Sequence, residues 1–209
     1  TDIADQQFME IQTYQIGVTL KNGVQGAGSA SLDGIREALA VYGGTCIASL
    51  ETTMDMETAD GVKAVNLIVV EDPVQLSGYI DLHTPAGEAL AYPQDGEAVI
   101  CEKLSERYRI RIGDTIHLVD EDRREIEAVV SGICENYIYN YVYLNAGTYE
   151  KALGDLSYKN LYVDLAEEAD VHAAGAALMK ADNVTAVSVN ADMLTRFSSM
   201  MGSMDYIVF

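Results

Sequence analysis

The residues of this 209-residue chain that could perform chemistry are three histidines, three cysteines and several acidic runs. The histidines lie far apart, and none has a second metal ligand at the short spacing that metal sites use: His83, His117 and His172. The cysteines form no Cys-x-x-Cys pair, and each lies in an apolar run where a thiol packs as a small hydrophobe: Cys46, Cys101 and Cys134. These spacings predict no metal site and no cofactor, while one disulfide stays open as an alternative.

Two further patterns could bind ions. The glycine-rich segment 23–31 (GVQGAGSAS) precedes a predicted helix, but it lacks the lysine of a phosphate-binding loop. The acidic runs at 55–60 and 120–122 lack the alternating pattern, central glycine and final glutamate of a calcium loop, so we interpret them as solvated hairpin tips. With no serine-nucleophile elbow and no zinc-protease motif, the chain is predicted not to be an enzyme. A hydrolase with an unfamiliar acid pair stays open as an alternative.

Composition narrows the class of function. Acidic residues outnumber basic residues 33 to 13, and the formal net charge of −20 repels phosphate backbones, which excludes nucleic-acid binding. Hydrophobic residues make up 49% of the chain, which excludes a disordered protein. The charge suits the outer face of a membrane, since loops on the inner face are enriched in Lys and Arg, but many cytosolic proteins are also acidic. No run of about 18 apolar residues is present, so no complete membrane-spanning helix is predicted.

Four tyrosines recur at every second position near the middle of the chain: Tyr137, Tyr139, Tyr141 and Tyr143. In a strand over 137–144 all four rings would project to one face. They would then form an amphipathic surface for a peptide or protein partner, and they are the candidate contact residues of this sequence. The more ordinary arrangement for such tyrosines is a cross-strand aromatic ladder that packs against neighbouring elements.

Apolar periodicity predicts a βαβ unit at each end of the chain. The first comprises a strand over 11–20, a helix that Ser31 begins and Gly43-Gly44 ends, and a hairpin of strands 45–57 and 62–70 around an Asp-Gly turn. The second comprises a strand over 161–165, a helix over 170–180 and a strand over 184–189. Two such units brought together predict an α+β fold with ferredoxin-like halves.

The segment between the two units predicts an inserted, β-rich subdomain. Its strands at 115–119, 125–134 and 137–144 suggest a small twisted sheet or partial barrel. The predicted division is a first helix at 1–10, an α+β core at 11–70 plus 157–190, the insertion at 71–156 and a last helix at 191–209. Both end segments have the pattern of elements that continue beyond the sequence.

Two stretches carry a family resemblance. AVICEKLSERYRIRIGDTIHL (98–118) and VSGICENYIYNYVYLNAGTYEKALG (130–154) resemble the extracytoplasmic domains of MacB/FtsX-type ABC-transporter permeases, in the version found in large Gram-positive permeases. The resemblance covers Gly96–Gly154 well. It extends more loosely to Gln6, Gln7 and Glu10 and to the closing Met204–Val208.

This resemblance implies a domain outside the cytoplasmic membrane, between two membrane-spanning helices that are absent from the sequence. It implies a MacB-like periplasmic core whose inserted lobe, including residues 96–144, lies farthest from the membrane. A separate cytoplasmic ABC ATPase would hydrolyse ATP, and the partner outside the cell would be a peptide, a lipid or an accessory protein. A stand-alone secreted binding or adhesion domain is the alternative.

Overall fold

The computed structural model describes residues 3–205, whose elements follow the apolar patterns of the sequence. The described residues form nine strands: β1 (Ile16–Val24), β2 (Thr45–Thr58), β3 (Gly61–Val70), β4 (Glu97–Cys101), β5 (Thr115–Val119), β6 (Glu125–Cys134), β7 (Tyr141–Leu144), β8 (Tyr158–Asp164) and β9 (Val184–Val189). The longer helices are α1 (Ile3–Asp5, continued as a π-helix over Gln6–Ile11), α2 (Asp33–Val41), α3 (Glu102–Tyr108), α4 (Ala146–Leu153), α5 (Val171–Met179) and α6 (Asn190–Asp205).

The two βαβ units, β1-α2-β2 and β8-α5-β9, interleave in one antiparallel sheet. Their strands lie in the order β2-β8-β1-β9, with every neighbouring pair antiparallel. The helices α2 and α5 contact each other and bury their apolar faces, which include Ile35, Leu39 and Leu178. Asp170 caps α5 by accepting a hydrogen bond from the Ala173 N–H at 3.0 Å. This arrangement confirms the predicted α+β class with ferredoxin-like halves.

The middle of the chain closes a six-stranded barrel together with β2 and β3. Around the ring the neighbours are β2, β3, β7, β4, β6 and β5, and β5 pairs again with β2. Strand alternation places buried apolar side chains inside the ring: Met54, Met56, Val65, Leu67, Ile100, Ile116, Leu118, Ile126, Val130 and Val142. The predicted small sheet is therefore a closed barrel, and it is built partly from strands of the α+β core.

The β2–β3 hairpin contributes strands both to the α+β core and to the barrel. Thr58 pairs with Gly61 across a two-residue loop, where Gly61 adopts a φ of +96°. The near end of β2, Thr45–Ser49, pairs with β8, whereas Asp55 and Met56 at its far end pair with β5. The sheet therefore includes strands from both sides of the predicted domain boundaries near residues 70 and 157. The division of the chain into a core and an insertion remains a prediction.

The strand that carries the tyrosines is shorter than predicted. It begins at Tyr141 instead of Tyr137, because the chain before it bends and Tyr139 takes a left-handed φ of +67°. The segment 135–140 also contacts α1, so this end of the middle segment does not lie in a lobe remote from the first helix. This corrects the predicted strand over 137–144, while the position of the tyrosines relative to a membrane remains a prediction.

The first and last helices lie side by side. The rings of Phe8 in α1 and Phe197 in α6 approach to 5.4 Å between centroids. Among residues 3–205, no helix is both long enough and apolar enough to cross a membrane. Thr1, Asp2 and the Tyr206–Phe209 end of the closing motif fall outside the described residues.

Because one hairpin belongs to both parts, we expect the described chain to unfold as one cooperative unit. Met56, at the barrel end of β2, is fully buried (0% exposed). Met56→Ala should lower the free energy of unfolding by roughly 2–5 kcal/mol, through lost burial and the cavity left behind, as measured by urea denaturation. Amides of β1, in the other part of the sheet, should lose hydrogen-exchange protection together with those of the barrel.

The matched control for this substitution is Val62→Ala in the same hairpin. Val62 is 59% exposed, so its truncation should change the free energy of unfolding by no more than about 0.5 kcal/mol. If Met56→Ala exposes barrel amides while those of β1 and β9 keep their protection, the two parts unfold separately.

Candidate functional site

The edge of β2 that faces β8 and β5 is interrupted. β8 pairs with this edge as far as Ser49, and β5 pairs with it again from Asp55. Between them, no strand of the described chain pairs with residues 50–54 on this side. In this segment the Glu51 N–H is bonded to the Asn160 side chain, and no strand covers the edge at the junction between the α+β core and the barrel.

A cleft of about 560 Å³ opens at this interruption. Its lining is polar and includes two carboxylates, two amides and four hydroxyl groups: Glu51, Glu121, Asn66, Asn160, Thr52, Thr53, Tyr139 and Tyr141. Among residues 3–205, no lysine, arginine or histidine lines it. The volume is in the range of small-ligand sites.

Sheet register brings five of these side chains to one face. Thr53 lies opposite Asn66 across β2 and β3, and Asn66 lies opposite Tyr141 across β3 and β7. Glu51 is two residues before Thr53 and projects to the same face. Asn160 pairs with Ser49, on this face of β8. The site is thus assembled from the β2–β3 hairpin and from β7 and β8, which lie far from it in sequence.

Glu51 is the central acidic group of the cleft. The Tyr162 hydroxyl donates a hydrogen bond to its carboxylate, and the Glu51 N–H donates to Asn160 Oδ1 at 3.1 Å. Glu51 is exposed to solvent in the open cleft, yet desolvation by the surrounding protein raises the pKa of its carboxyl above the ordinary value, and the hydrogen bond from Tyr162 opposes this effect in part. None of the ion pairs among residues 3–205 includes Glu51.

Tyrosine rings surround this carboxylate. Tyr14 stacks on Tyr162 with centroids 4.6 Å apart. The pKa values of Tyr14, Tyr141 and Tyr162 are raised first by burial and then by the negative charge of Glu51. All three therefore stay neutral hydroxyls at physiological pH, and the environment of Glu51 is aromatic and free of positive charge.

The four candidate tyrosines separate into a buried and an accessible pair. Tyr141 and Tyr143 are 6% and 2% exposed, whereas Tyr139 is 50% exposed and Tyr137 is half-buried. Successive rings contact each other, with centroids 6.0 Å apart for Tyr139 and Tyr141 and 6.2 Å apart for Tyr141 and Tyr143. Of the four, Tyr139 and Tyr141 line the cleft. A partner can reach Tyr139 and Tyr137 directly, and Tyr141 from within the cleft.

A buried glutamine of α1 holds the tyrosine segment in place. Gln7 is fully buried, and its Oε1 accepts hydrogen bonds from the N–H groups of Tyr137 (2.9 Å) and Ile138 (3.1 Å). Its Nε2 donates to Asn136 Oδ1 at 2.9 Å. Asn136 in turn donates to the carbonyls of Ile138 (2.6 Å) and Tyr139 (3.3 Å). We call this set of contacts the Gln7 network.

A second polar contact links the other terminal helix to the same region. Gln12 Nε2 donates to the Tyr141 hydroxyl at 3.2 Å. Asn190, the first residue of α6, donates to the carbonyls of Gln12 (3.2 Å) and Tyr14 (2.6 Å). Both terminal helices therefore connect, within a few hydrogen bonds, to tyrosines of the cleft.

Sequence reasoning did not single out the groups that organise this site. Glu51 was part of a predicted strand, and the roles of Gln12, Asn136 and Asn190 had no motif to mark them. The one signal was a charged residue in the middle of a long strand pattern. Among the histidines, His83 lies beside Glu135 and His172 beside Asp192, and no group of three metal-ligating side chains is found in residues 3–205.

Comparison with known proteins identifies the fold. No protein-family model matches the sequence, and no curated protein matches it either. Among solved structures, the periplasmic region of MacB from Actinobacillus actinomycetemcomitans superimposes with a TM-score of 0.52 and 12% identity, over 94% of this chain and 98% of that chain. The extracellular domain of the ABC-type transporter YknZ from Gram-positive bacteria gives a TM-score of 0.49 and 13% identity, over 85% and 99%.

The chain therefore has the α+β fold of the MacB periplasmic region. The sequence resemblance to MacB-type domains is confirmed at the level of the fold.

The His83–Glu135 pair beside the tyrosine segment gives a pH-dependent contribution to stability. His83 Nε2 and Glu135 Oε2 are 2.6 Å apart, and the Tyr137 hydroxyl donates to the same carboxylate. Burial alone disfavours the protonated ring, but hydrogen bonds to Glu135 and Asp81 raise the pKa of His83 overall. Burial also disfavours ionised Glu135, yet the bonds from Tyr137 and His83 lower its pKa overall.

These directions fix the sign of the effect. A raised folded-state pKa means that His83 stabilises the fold fully below its unfolded value of about 6.5, and this contribution is lost as pH rises through the folded pKa. The lowered pKa of Glu135 keeps that carboxylate charged over the same range. His83→Gln should therefore reduce the thermal midpoint more at about pH 5.5 than at about pH 8.5, measured by circular dichroism. An equal reduction at both pH values would contradict this, and His117→Gln is the matched control.

Proposed function

We propose that this chain is the extracytoplasmic domain of an ABC-transporter permease. The observation that carries the proposal is the fold, which is shared with the periplasmic region of MacB along almost its whole length. In this proposal, helices that span the membrane flank the chain and hold the domain on the extracellular face of the cell membrane. A separate cytoplasmic ABC ATPase hydrolyses ATP, and the domain itself is not an enzyme.

The domain would engage a partner outside the cell and relay helix movement to it. The side-by-side packing of α1 and α6 supports this role, because two adjacent helices suit a connection to two membrane helices. The Gln7 network supports it as well, since a shift of α1 would move the backbone of the tyrosine segment directly. Such a relay requires two arrangements of similar free energy. The candidate partners are a peptide, a lipid or an accessory protein at Tyr139 and Tyr137.

Thiol labelling of the full-length protein in cells tests the proposed location. Val74 is 89% exposed, whereas Cys101 and Cys134 are buried and Cys46 is partly buried. A Val74→Cys variant should react with a membrane-impermeant maleimide on intact cells and should remain in the membrane fraction after a carbonate wash. The unsubstituted protein gives the background level.

Two results would contradict the proposed location. Labelling after lysis alone would place the domain inside the cell. Labelled protein in the medium would identify a secreted binding or adhesion domain instead. Apolar segments of about 20 residues encoded beside each end would agree with the permease.

Hydrogen exchange of the chain tests the proposed relay contact. Gln7→Ala removes the acceptor of the Tyr137 and Ile138 N–H groups, so these amides should exchange faster, by roughly tenfold or more. Gln6→Ala is the matched control, because Gln6 is the adjacent residue of the same type and is not fully buried. Unchanged exchange at Tyr137 and Ile138 in Gln7→Ala would exclude the Gln7 network as a mechanical connection.

A further inference from the structure

The cleft beside β2 is lined by acidic side chains. Glu51 and Glu121 line it, no basic side chain of the part of the chain that the structure describes does so, and the whole chain carries a net charge of −20. Glu51 has one hydroxyl donor, Tyr162, and none of the ion pairs formed by the described residues compensates its charge. The Glu51 side chain is exposed within the cleft, so a cation that enters can contact its carboxylate directly.

The walls distinguish an organic cation from a metal ion. Tyr139 is half-exposed and contacts the ring of Tyr141, so aromatic surface lies on one side of the cleft. Aromatic faces attract ammonium and guanidinium groups through the ring quadrupole. A divalent metal needs several converging carboxylate or imidazole ligands, and residues 3–205 contain no such group of three.

The remaining groups suit a ligand with its own hydrogen-bonding atoms. The amide of Asn66 and the hydroxyl of Thr53 lie in one row across the sheet with Tyr141. Beside them, the edge of β2 at residues 50–54 has no strand partner among the described residues. The Glu51 N–H on this edge is already bonded to Asn160 Oδ1, and an extended ligand backbone could hydrogen-bond to the other groups of the edge while its side chain enters the cleft.

From this combination we propose that the cleft binds an organic cation, namely a guanidinium or alkylammonium group, between Glu51 and the ring of Tyr139. The proposal deepens the proposed function, because it names the ligand class of the extracytoplasmic domain. Binding itself requires only the cleft, so it is measured on the 209-residue chain.

Calorimetric titration with two ligands of nearly equal shape tests the proposal. N-acetyl-arginine amide carries a guanidinium group, and N-acetyl-citrulline amide carries a neutral urea in its place. We expect the arginine derivative to bind at least about tenfold more tightly. Equal affinity of the two ligands, or no heat of binding with the arginine derivative, would overturn the proposal.

Matched substitutions locate the binding site. Glu51→Gln keeps the shape of the side chain and removes its charge, so it should weaken binding of the arginine derivative by roughly tenfold. Glu57→Gln makes the same change on the same strand outside the cleft and should leave the affinity within about twofold. Tyr139→Ala should weaken binding, and Tyr139→Phe should retain it because the ring is kept. Equal effects of Glu51→Gln and Glu57→Gln would refute the assignment to this cleft.

A third ligand identifies the source of the cation. Tighter binding of N-acetyl-Ala-Arg-Ala amide than of the arginine derivative indicates a peptide that also uses the β2 edge, and equal binding indicates a small free cation. Both results support the cation site. If the chain binds the cation but the full-length protein is not in the membrane fraction, the cation site stands and the permease proposal is refuted. If the protein is in the membrane fraction but the chain binds no cation, the permease proposal stands and the cation site is refuted.

Discussion

β2 pairs with two different strands along one edge, and this pairing sets how the α+β core and the barrel are joined. The strand is 14 residues long, so it extends through the α+β core and into the barrel. A strand has one hydrogen-bonding edge on each side, and β3 occupies one of them from Ser49 to Thr58. On the other edge β8 and β5 must share the remaining length. The two parts are therefore joined by continuous backbone hydrogen bonding instead of a flexible linker.

The cleft is a direct consequence of this sharing. β8 and β5 diverge, and the residues of β2 between them are left without a neighbouring strand. The outward-facing side chains there are polar, including Glu51 and Thr53, because this face is not covered by a helix as the opposite face of the core is. The unpaired edge of β2 is therefore recessed, and it forms an acidic cleft at the junction of the α+β core and the barrel.

Polar contacts connect this junction to the terminal helices. A buried amide is stabilising when all of its hydrogen-bonding groups are satisfied, and Gln7 satisfies both ends of its side chain on the tyrosine segment. These bonds join groups 129 to 131 residues apart in sequence. They also fix the bend at Tyr139, whose left-handed backbone ends the alternation that would otherwise extend β7. The same network that shortens the strand thus presents Tyr139 to the cleft.

Apolar periodicity and local turn residues such as Asp60 and Gly61 were enough to predict the fold class, both βαβ units, the β2–β3 hairpin and the bounds of β5 and β6. The sequence also supplied the resemblance that agrees with the fold. The position of Glu51 beside Asn160, the burial of Tyr141 and Tyr143, and the role of Gln7 were decided by the tertiary structure alone. Each depends on strand register or on a contact across more than 100 residues, and no local pattern encodes which strands become neighbours.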